Sequence, residues 1–343
     1  MKKEDCCRIE RCLDRIPEGT FQIVRHSCKD NDTGLFTKYL QAESKGRGIL
    51  NVYPVYPGIE VSVNCFLTDK AVFHHASAAS VLEISHCHAG RVGWNMKNDM
   101  TVYLGAGDLA CHSTICCSDS EMIFPMKYYE GISIFLNLDR LSETSFDILP
   151  EAGNCLNTLR AKYGKSCESV FIPSCLETDC IFLPLYDAPE ALRLPYFRLK
   201  LQELLLYLGR YTPVPGRLTP YRSGQTELIR QIHRRLTEDL NRRYTIEELS
   251  REYLINTSSL KEIFKAVYGQ PVASYMKEYR IREAMKLLRE TDGSISSISS
   301  QVGYESQGKF TKAFRDVAHI LPSEYRKQCR RNGMPASQQP GSR

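Results

Sequence analysis

The sequence has 343 residues, of which 42% are hydrophobic and 10% aromatic, a composition that belongs to folded globular proteins and excludes disorder as the default. The formal net charge is +5, but residues 225–343 hold 21 Lys and Arg against 14 Asp and Glu, whereas residues 1–224 hold 24 against 26. This asymmetry favours a polyanionic partner for the basic part, although a solvated basic face would give the same count.

The distribution of the cysteines and the N-terminal residues indicate in which cellular compartment the protein is expected. Thirteen of the fourteen cysteines precede residue 181, an uneven distribution and not a disulfide framework. The first residues, MKKEDCCRIERCLDRIPE, contain no apolar stretch of the kind that signal peptides carry, and no run of about 18 apolar residues is present to cross a membrane. We therefore expect a cytoplasmic protein with reduced thiols and no membrane partner.

Residues 50–140 are predicted to be rich in β-strands. Segments such as NVYPVYPGIEVSVNCFL, SVLEISHCHAGRVGWNM and EGISIFLNL are short runs of β-branched and aromatic residues with partial alternation, and Gly, Asn and Asp separate them. Because no helical pattern interrupts them, a small antiparallel sandwich or barrel is expected.

A leucine-rich helix is predicted over residues 189–211. Its apolar residues recur at helical spacing and are Leu194, Phe197, Leu201, Leu204, Leu205 and Leu208. The leucine content exceeds what one buried stripe needs. The helix is expected to pack on the β-rich part, or to use part of its surface as the seam of a homodimer.

Residues 212–225, TPVPGRLTPYRSGQ, hold three prolines and two glycines without an apolar period, so they are the predicted linker. Residues 1–211 would form a ligand-sensing and dimerisation domain, residues 226–330 a helical domain, and residues 331–343 a disordered tail. Capping signals predict seven helices in the second domain. Their bounds are about 225–242, 245–253, 257–267, 271–291, 295–302, 305–317 and 322–330.

Part of the helical domain is repeated. Residues 249–275 align with residues 298–325 at an offset of 49 that becomes 50 after one inserted residue. The matched pairs are Leu249 with Ile298, Phe264 with Phe314 and Tyr275 with Tyr325. Each copy predicts a helix-turn-helix, whose second helix can lie in the major groove of DNA. A connecting helix of roughly 30 Å would nearly match the roughly 34 Å of one DNA turn.

The segment ISSISSQVGYESQGKFTKAFRDVAHILPSEYR carries isoleucines, VGY, a polar cap, F-x-x-x-F and P-S-E-Y-R. Through this pattern, residues from about 225 to 328 resemble the DNA-binding domain of the AraC/XylS family of bacterial transcription regulators. The resemblance implies an α+β protein, in which an N-terminal β-rich, cupin-like sensor domain with a helix is joined to an all-α domain with two helix-turn-helix units. Promoter DNA, RNA polymerase and a small-molecule effector are the implied partners, and activation is the implied effect.

The same resemblance assigns exposed positions on the second helix of each unit to DNA contact. They are Thr257, Ser258, Ser259, Lys261, Glu262 and Lys265 in the first unit, and Gln307, Gly308, Lys309, Thr311 and Lys312 in the second. The residue types suit the role, because Gln pairs with adenine, Lys donates to guanine or phosphate, and Glu accepts from cytosine. Three positions depart from the family pattern, namely Gly308 within the second helix, His319 in place of a glycine, and Leu321 in place of a Ser or Thr cap.

The β-rich part offers candidates for effector binding. His86 and His88 would share one face of a strand, with Cys87 on the other. A weaker resemblance to the iron-siderophore regulators of the family adds Arg91, Trp94 and Tyr129 as residues of the same predicted pocket. No nucleophile elbow, P-loop, G-x-G-x-x-G or H-E-x-x-H occurs, so we predict no enzyme activity, no catalytic residue and no cofactor.

Three alternatives stay open. The two histidines with Cys111, His112, Cys116 and Cys117 could bind a metal, but C-x-x-C is absent and no carboxylate follows H-x-H, so no metal site is predicted. Redox sensing through the pairs Cys6 and Cys7 or Cys116 and Cys117 is a second alternative. A helical module that docks protein instead of DNA is the third.

Overall fold

The computed structural model describes residues 9, 12–26, 40–41, 46–74, 81–96, 99–114, 119–143, 153–163, 169–212 and 220–333. The chain divides into two compact units, Met1–Ser223 and Gly224–Arg343. No helix within the described ranges is long and apolar enough to cross a membrane. The linker at residues 212–225 and the sensing role of residues 1–211 stay predictions.

The first unit is built on β-strands. Those within the described residues are β1 Phe21–Arg25, β2 Leu40–Gln41, β3 Gly46–Tyr56, β4 Ile59–Thr68, β5 Lys70–His74, β6 Val81–Met96, β7 Met100–Gly105, β8 Leu109–Ser113, β9 Asp119–Ile123, β10 Tyr129–Asn137, β11 Val170–Ile172 and β12 Tyr221–Arg222. Strand β1 runs parallel to β3, and the other pairings in the described part of the chain are antiparallel. The predicted β-rich character of residues 50–140 is confirmed, whereas the cupin-like barrel stays a prediction.

Strand β6 is 16 residues long and joins two sheets. Its first part pairs with β10 and β8, and its last part pairs with β7 and β9. Side chains from both sheets meet in one buried cluster, which we call the interior core and which includes Leu50, Phe66, Val92, Leu104 and Phe124. The two sheets therefore pack against each other through apolar side chains that alternate along each strand.

Helices accompany the strands, among them α1 Leu138–Glu143, α2 Gly153–Tyr163, α3 Leu176–Asp187 and α4 Glu190–Arg210. Phe197, Leu201 and Leu204 of α4 are buried in a second cluster with strand residues such as Val61 and Ile134. The expectation that the leucine-rich helix packs on the β-rich part is therefore confirmed. This outer core covers the side of the sheet that faces away from the interior core.

The second unit is helical. Its helices are α5 Ser223–Glu238, α6 Ile246–Glu252, α7 Thr257–Tyr268, α8 Val272–Glu290, α9 Ile295–Gln301, α10 Gln307–Ala318 and α11 Pro322–Gly333. They agree with the seven helices expected from the capping signals, with ends that differ by a few residues. Helix α11 continues to Gly333, so the predicted tail begins as helix, and residues 334–343 lie outside the described part of the chain.

Helix α8 connects two similar helix pairs, α6–α7 and α9–α10. Near its start, Tyr275 meets Phe264 of α7 at a ring-centroid distance of 5.6 Å. Near its end, Leu288 is buried with Phe310 and Phe314 of α10. The helix has 19 residues, which corresponds to a length of roughly 28 Å at 1.5 Å per residue. Each pair therefore packs on a different end of one rod.

Local capping signals recur in the two pairs. Thr245 and Ser294 cap α6 and α9, and each side-chain oxygen accepts a hydrogen bond from the amide three residues later. The caps of α7 and α10, Asn256 and Ser306, do the same. These side chains satisfy amides that a helix start leaves without intrahelical partners. The cap positions keep the offset of 49 and then 50, so the repeat exists in local structure as well as in sequence.

Two of the departures from the family pattern, His319 and Leu321, lie at the end of the second pair, and each has a local hydrogen bond or backbone conformation that suits its place. His319 takes the left-handed conformation, with φ 57°, that ends α10, and Gly269 takes it with φ 81° at the end of α7. Histidine is among the residues that enter this region more readily than most. The amide of Leu321 donates to the Glu324 carboxylate at 3.2 Å, which is the half of a capping box that the residue three positions later supplies, whereas Leu321 has no side-chain oxygen to supply the other half.

Each turn inside a pair contains one left-handed residue, but the two turns are packed differently. Leu254, with φ 51°, is 94% exposed. Gly303, with φ 79°, is packed so closely that a Cβ atom there would lie 1.9 Å from the carbonyl oxygen of Leu240. Only a glycine fits at residue 303, because both the conformation and the space exclude a side chain.

We expect Gly303→Ala to lower the free energy of unfolding of the helical unit by about 2–3 kcal/mol, through left-handed strain and a clash with backbone. Gly308→Ala is the matched control, because a Cβ at residue 308 meets no atom within 4 Å. That change should be neutral or stabilising by up to about 1 kcal/mol, since glycine lowers helix propensity. Urea unfolding followed by circular dichroism measures both, and equal effects would contradict the packing at Gly303.

Candidate functional site

Helix α7 presents a polar face to solvent. Its exposed residues follow at intervals of three and four, so they share one side of the helix: Ser258, Lys261, Glu262 and Lys265. Thr257 and Ser259, in the first turn, are half-buried. The opposite side is apolar and buried, and it consists of Leu260, Ile263, Phe264 and Val267. The core therefore fixes the rotation of α7 about its axis and leaves the polar side free for a partner.

Helix α10 repeats this arrangement. Four of its predicted contact residues are exposed, namely Gln307, Gly308, Lys309 and Lys312, and Thr311 is half-buried. Phe310, Ala313 and Phe314 are buried on the other side. All eleven residues predicted to contact DNA thus lie on α7 and α10, and none of them is buried.

One of these residues already has an ionic partner on the protein. Lys309 Nζ lies 2.8 Å from Glu305 Oε2, and both side chains are well exposed. The Lys309 ammonium lowers the pKa of Glu305 through a hydrogen bond and through its charge. A pair this exposed is weak, so a phosphate group can compete with Glu305 for the lysine.

The two histidines predicted for the pocket face helix α3. The His86 ring stacks on Phe182 with centroids 4.2 Å apart, and its Nδ1 lies 2.8 Å from the Tyr186 hydroxyl. Burial, with the charge of His88, lowers the pKa of His86 to about 3, so this imidazole is neutral at physiological pH. His88 stacks on Tyr186 at 4.1 Å, and its Nε2 lies 3.9 Å from Glu130.

The other three predicted pocket residues lie elsewhere. Trp94 and Tyr129 belong to the interior core. Arg91 lies against the LGAGDL turn, where a Cβ on Gly105 would be 2.6 Å from its Nη1. The structure therefore separates the two histidines, which face α3, from Trp94 and Tyr129, which lie in the interior core. Since all five were expected in one pocket, the structure does not bring that site together.

A β-bulge explains the division. His86 and Trp94 are eight residues apart, so a regular strand would place them on the same face. The register between β6 and β10 instead shifts at Glu130 and Gly131, which pair with Ala89 and Cys87 and leave His88 as an extra residue. An extra residue reverses the alternation beyond it. Sequence periodicity alone does not reveal this shift.

The remaining Cys and His candidates give no sign of a metal or redox site in the described part of the chain. Burial raises the pKa of the Cys87 and Cys111 thiols, which disfavours the thiolate that both functions need. His112 Nε2 lies 3.3 Å from Glu83 Oε2. No group of three or more His, Cys, Asp or Glu that could hold a metal occurs among the described residues. Cys6, Cys7, Cys116 and Cys117 lie outside them.

A row of polar side chains between the sheets was not predicted. It crosses four adjacent strands and consists of Ser62 and Asn64 on β4, Ser133 on β10, Glu83 and Ser85 on β6, and His112 on β8. We call it the polar ladder. The pattern IEVSVNCF of β4 does alternate, but such alternation ordinarily indicates a face in contact with water. The burial of its polar positions therefore had no signal in the sequence.

The comparisons agree with the geometry of the helical unit. Residues 249–328 match the family described as "Helix-turn-helix domain". The chain is 22% identical over 278 residues to the regulatory protein PocR of Salmonella typhimurium, which covers 80% of this chain and 81% of PocR. It is 35% identical over 92 residues to an AraC-like transcription regulator of Streptomyces lividans, and 27% identical over 135 residues to the transcriptional regulator ExsA of Pseudomonas aeruginosa.

These last two matches cover 27% and 38% of this chain, and the chain spans 30% and 49% of the two relatives. Helices α6 to α11, with the matched domain, define a transcription regulator of the helix-turn-helix class. Within that class, the chain is similar to transcriptional regulators of the AraC/XylS family. The relatives are regulators by name, and none of the three is named as an enzyme.

Proposed function

We propose that the protein regulates transcription by binding promoter DNA with α7 and α10, and that α6–α7 and α9–α10 serve as two helix-turn-helix units. The observation that supports this best is the pair of matching polar faces at the two ends of α8. A rod of roughly 28 Å suits two helices that enter successive major-groove segments about 34 Å apart on one side of the duplex. RNA polymerase is the second proposed partner, activation is the proposed effect, and the cytoplasm is the proposed compartment.

The residues proposed to contact DNA differ in the groups of DNA that they can bind. Gln307 can make two hydrogen bonds to adenine, and Glu262 can accept one from cytosine. Lys261 and Lys312 can donate to guanine or to phosphate, whereas Lys265, a full helical turn beyond Lys261, suits a backbone phosphate. Gly308 has open space in front of it, so the α10 backbone can approach the base edges closely.

The salt dependence of DNA binding tests the proposal. We expect the affinity of the full chain for a duplex obtained by selection from random sequences to fall by several decades over a modest rise in salt, because each phosphate contact releases a counterion. Fluorescence anisotropy of labelled DNA measures this. A flat response would favour the alternative of a helical module that docks protein.

Two variants separate base reading from phosphate contact. Gln307→Ala should relax the preference for one base pair, at a cost of about 1–3 kcal/mol for the preferred site. Lys265→Ala should weaken binding to all duplexes about equally and should reduce the slope of log K against log salt concentration by about 1. Equal effects of the two variants on all sequences would contradict the assigned roles.

We also propose that a small polar effector binds at the polar ladder. The supporting contacts form a continuous chain. Asn64 Nδ2 donates to Ser133 Oγ at 3.3 Å, Ser133 and Ser85 lie 3.1 Å apart, and Ser85 donates to Glu83 at 2.9 Å. Glu83 then meets His112. Hydrogen-bonding groups this deep cost free energy of desolvation, and binding sites are places where a fold accepts that cost.

Trp94 links the ladder to the original prediction. Its ring lies 5.7 Å from that of His112, and its buried indole Nε1 has no hydrogen-bond partner within the described residues. Buried indole N–H groups usually have an acceptor. Hydroxyls, an amide, a carboxylate and an aromatic face together suit a small molecule rich in hydroxyl or amino groups. Trp94 therefore connects one of the five pocket candidates to the ladder.

Thermal unfolding of the full chain with a panel of polyols, sugars and small amines tests this site. A compound that binds the native state at about 100 times its Kd stabilises it by about 2.7 kcal/mol. We expect at least one compound to raise the Tm of the wild type and not that of Glu83→Gln. Glu121→Gln is the control that should keep the shift, because Glu121 is a half-buried residue paired with Lys70 and is not part of the ladder. A shift that survives in Glu83→Gln would place the effector elsewhere.

We propose further that the outer side of α4 forms a homodimer. Leu192, Leu199 and Leu206 are 50%, 66% and 49% exposed and lie seven residues apart. Tyr196, 37% exposed, occupies the intervening position of the heptad. Such a seam is what two identical helices need in order to pair. A homodimer seam would therefore explain why this helix has more leucines than its buried stripe needs.

Analytical ultracentrifugation of Leu199→Glu tests the seam. We expect a dimer for the wild type and a monomer for this variant, because the substitution would bury a carboxylate between the helices. Leu176→Glu is the control, since Leu176 is 78% exposed at the start of α3, outside the heptad. A monomeric wild type, or a dimer that persists in Leu199→Glu, contradicts the proposal.

A further inference from the structure

A cavity of about 920 Å³ opens between the two helix pairs. The polar side of α7 lines one wall with Ser258, Lys261, Glu262 and Lys265. The middle of α8 and the turn residue Tyr304 line the other. A duplex that lies on the polar faces of both α7 and α10 would therefore pass over this cavity.

The charged residues of its lining are mostly basic. The charged residues are Arg243, Lys261, Lys265, Lys277 and Arg280 with positive charge, and Glu262 with negative charge. Lys277 is engaged by Asp316, whose carboxylate lies 2.9 Å from its Nζ. Among the residues that the structure describes, neither Arg243 nor Arg280 lies within 4.0 Å of a carboxylate. The cavity thus has an excess of positive charge.

The protein holds both guanidinium groups in position through backbone carbonyls. Arg243 donates from Nε and Nη2 to Gly303 O at 3.4 and 3.2 Å, and it lies over the Tyr304 ring. Arg280 donates from Nη2 to Leu240 O and Arg242 O at 3.3 and 3.4 Å. Neutral carbonyls orient the two groups and do not compensate their charge.

Arg280 is the more enclosed of the two. Its Nε has no hydrogen-bond partner within the described part of the chain. Burial lowers the pKa of Arg280, and the positive charge of Arg243 lowers it further. Two like charges held side by side in a partly buried site repel each other unless an anion lies between them.

We infer that this cavity is a phosphate site, in which Arg243 and Arg280 hold the DNA backbone between the two major-groove segments that α7 and α10 enter. The inference rests on the proposed function. Guanidinium groups match the oxygens of a phosphate with two parallel N–H donors. Because Lys261 and Lys265 line the same cavity as the arginines, a duplex that contacts α7 brings its backbone to the mouth of that cavity. The two arginines are thus DNA-binding residues in addition to those on α7 and α10.

The salt slope of DNA binding by the full chain is the first test. We expect Arg243→Gln to reduce the slope of log K against log salt by about 1, since one phosphate contact is lost. Arg243→Lys should keep the wild-type slope because it keeps the charge. Arg234→Gln is the control, as Arg234 is exposed on α5 and paired with Glu227, and its slope should equal that of the wild type. An unchanged slope in Arg243→Gln overturns the inference.

Neutral phosphates provide the second test. In the selected duplex, single backbone phosphates between the two contacted major-groove segments are replaced by methylphosphonate. One replacement should weaken the wild type about as much as Arg243→Gln does, and should weaken Arg243→Gln no further. If Arg280→Gln unfolds at the same temperature as the wild type, it should lose the same phosphate contact in this test. If it unfolds at a lower temperature, the test relies on the Arg243 variants alone. Additive losses at every replaced phosphate contradict the assignment.

A free anion with the same phosphate groups is the alternative ligand of this cavity. If inorganic phosphate or pyrophosphate raises the Tm of the wild type and not of Arg243→Gln, while the DNA salt slopes of the two are equal, the site serves a free anion and the DNA assignment is wrong. The failures remain distinguishable. A wild type without salt-dependent DNA binding overturns the proposed function itself, whereas a steep wild-type slope that Arg243→Gln shares overturns only the role of the arginines.

Discussion

The contact between the Gly303 turn and the carbonyl oxygen of Leu240 is the constraint on which the helical unit depends. At residue 303 the chain needs a left-handed conformation and has no room for a Cβ atom. The loop after α5 can therefore approach the turn of the second pair, and Arg243 and Arg280 fasten it there through carbonyl oxygens. That loop leads directly into α6. The start of the first pair is thus anchored to the turn of the second through Arg243, and to α8 through Arg280, in addition to the packing of the pair on α8. A single glycine makes this possible because any side chain would separate the two backbones.

In the β-rich unit the corresponding constraint is the bulge in β6 at His88. Before it, side chains of even number on β6 point to the outer core, as His86 does against Phe182, and Cys87 points inward. Beyond it the alternation is reversed, and Trp94 points inward. One inserted residue therefore gives α3 two aromatic stacking partners and gives the interior core its tryptophan. The same strand carries Glu83 and Ser85 of the polar ladder on its inner face, so the bulge also brings the indole to the side where the buried polar groups lie.

What could be predicted from the sequence follows from the range of the interactions involved. The helices of the second unit were predictable because their caps, such as Thr245 with Glu248, are interactions between residues close in sequence. The repeat also shows the same pattern twice. The polar faces of α7 and α10 were predictable for the same reason, since the burial of Phe264 and Phe314 fixes the rotation of each helix. The pocket was not predictable, because it depended on a bulge whose evidence lies in the pairing of β6 with β10. The polar ladder was hidden too, since alternation tells which residues share a face and does not tell whether a second sheet covers that face.

The two turns of the repeat show how similar local structure can serve different ends. Leu254 and Gly303 occupy equivalent positions and share the left-handed conformation, yet the first projects into solvent and the second is enclosed. The first turn has no backbone close to it that demands a glycine, so its strain stays local and tolerable. The second turn holds the junction with the loop after α5, and with it the angle between α7 and α10. In the proposed function, the two helices that contact DNA are fixed by α8 and by this junction, so they have little orientational freedom left to lose on binding. The preferred spacing of two half-sites would then be set by the folded domain itself, and a duplex with another spacing would have to bend or give up one pair.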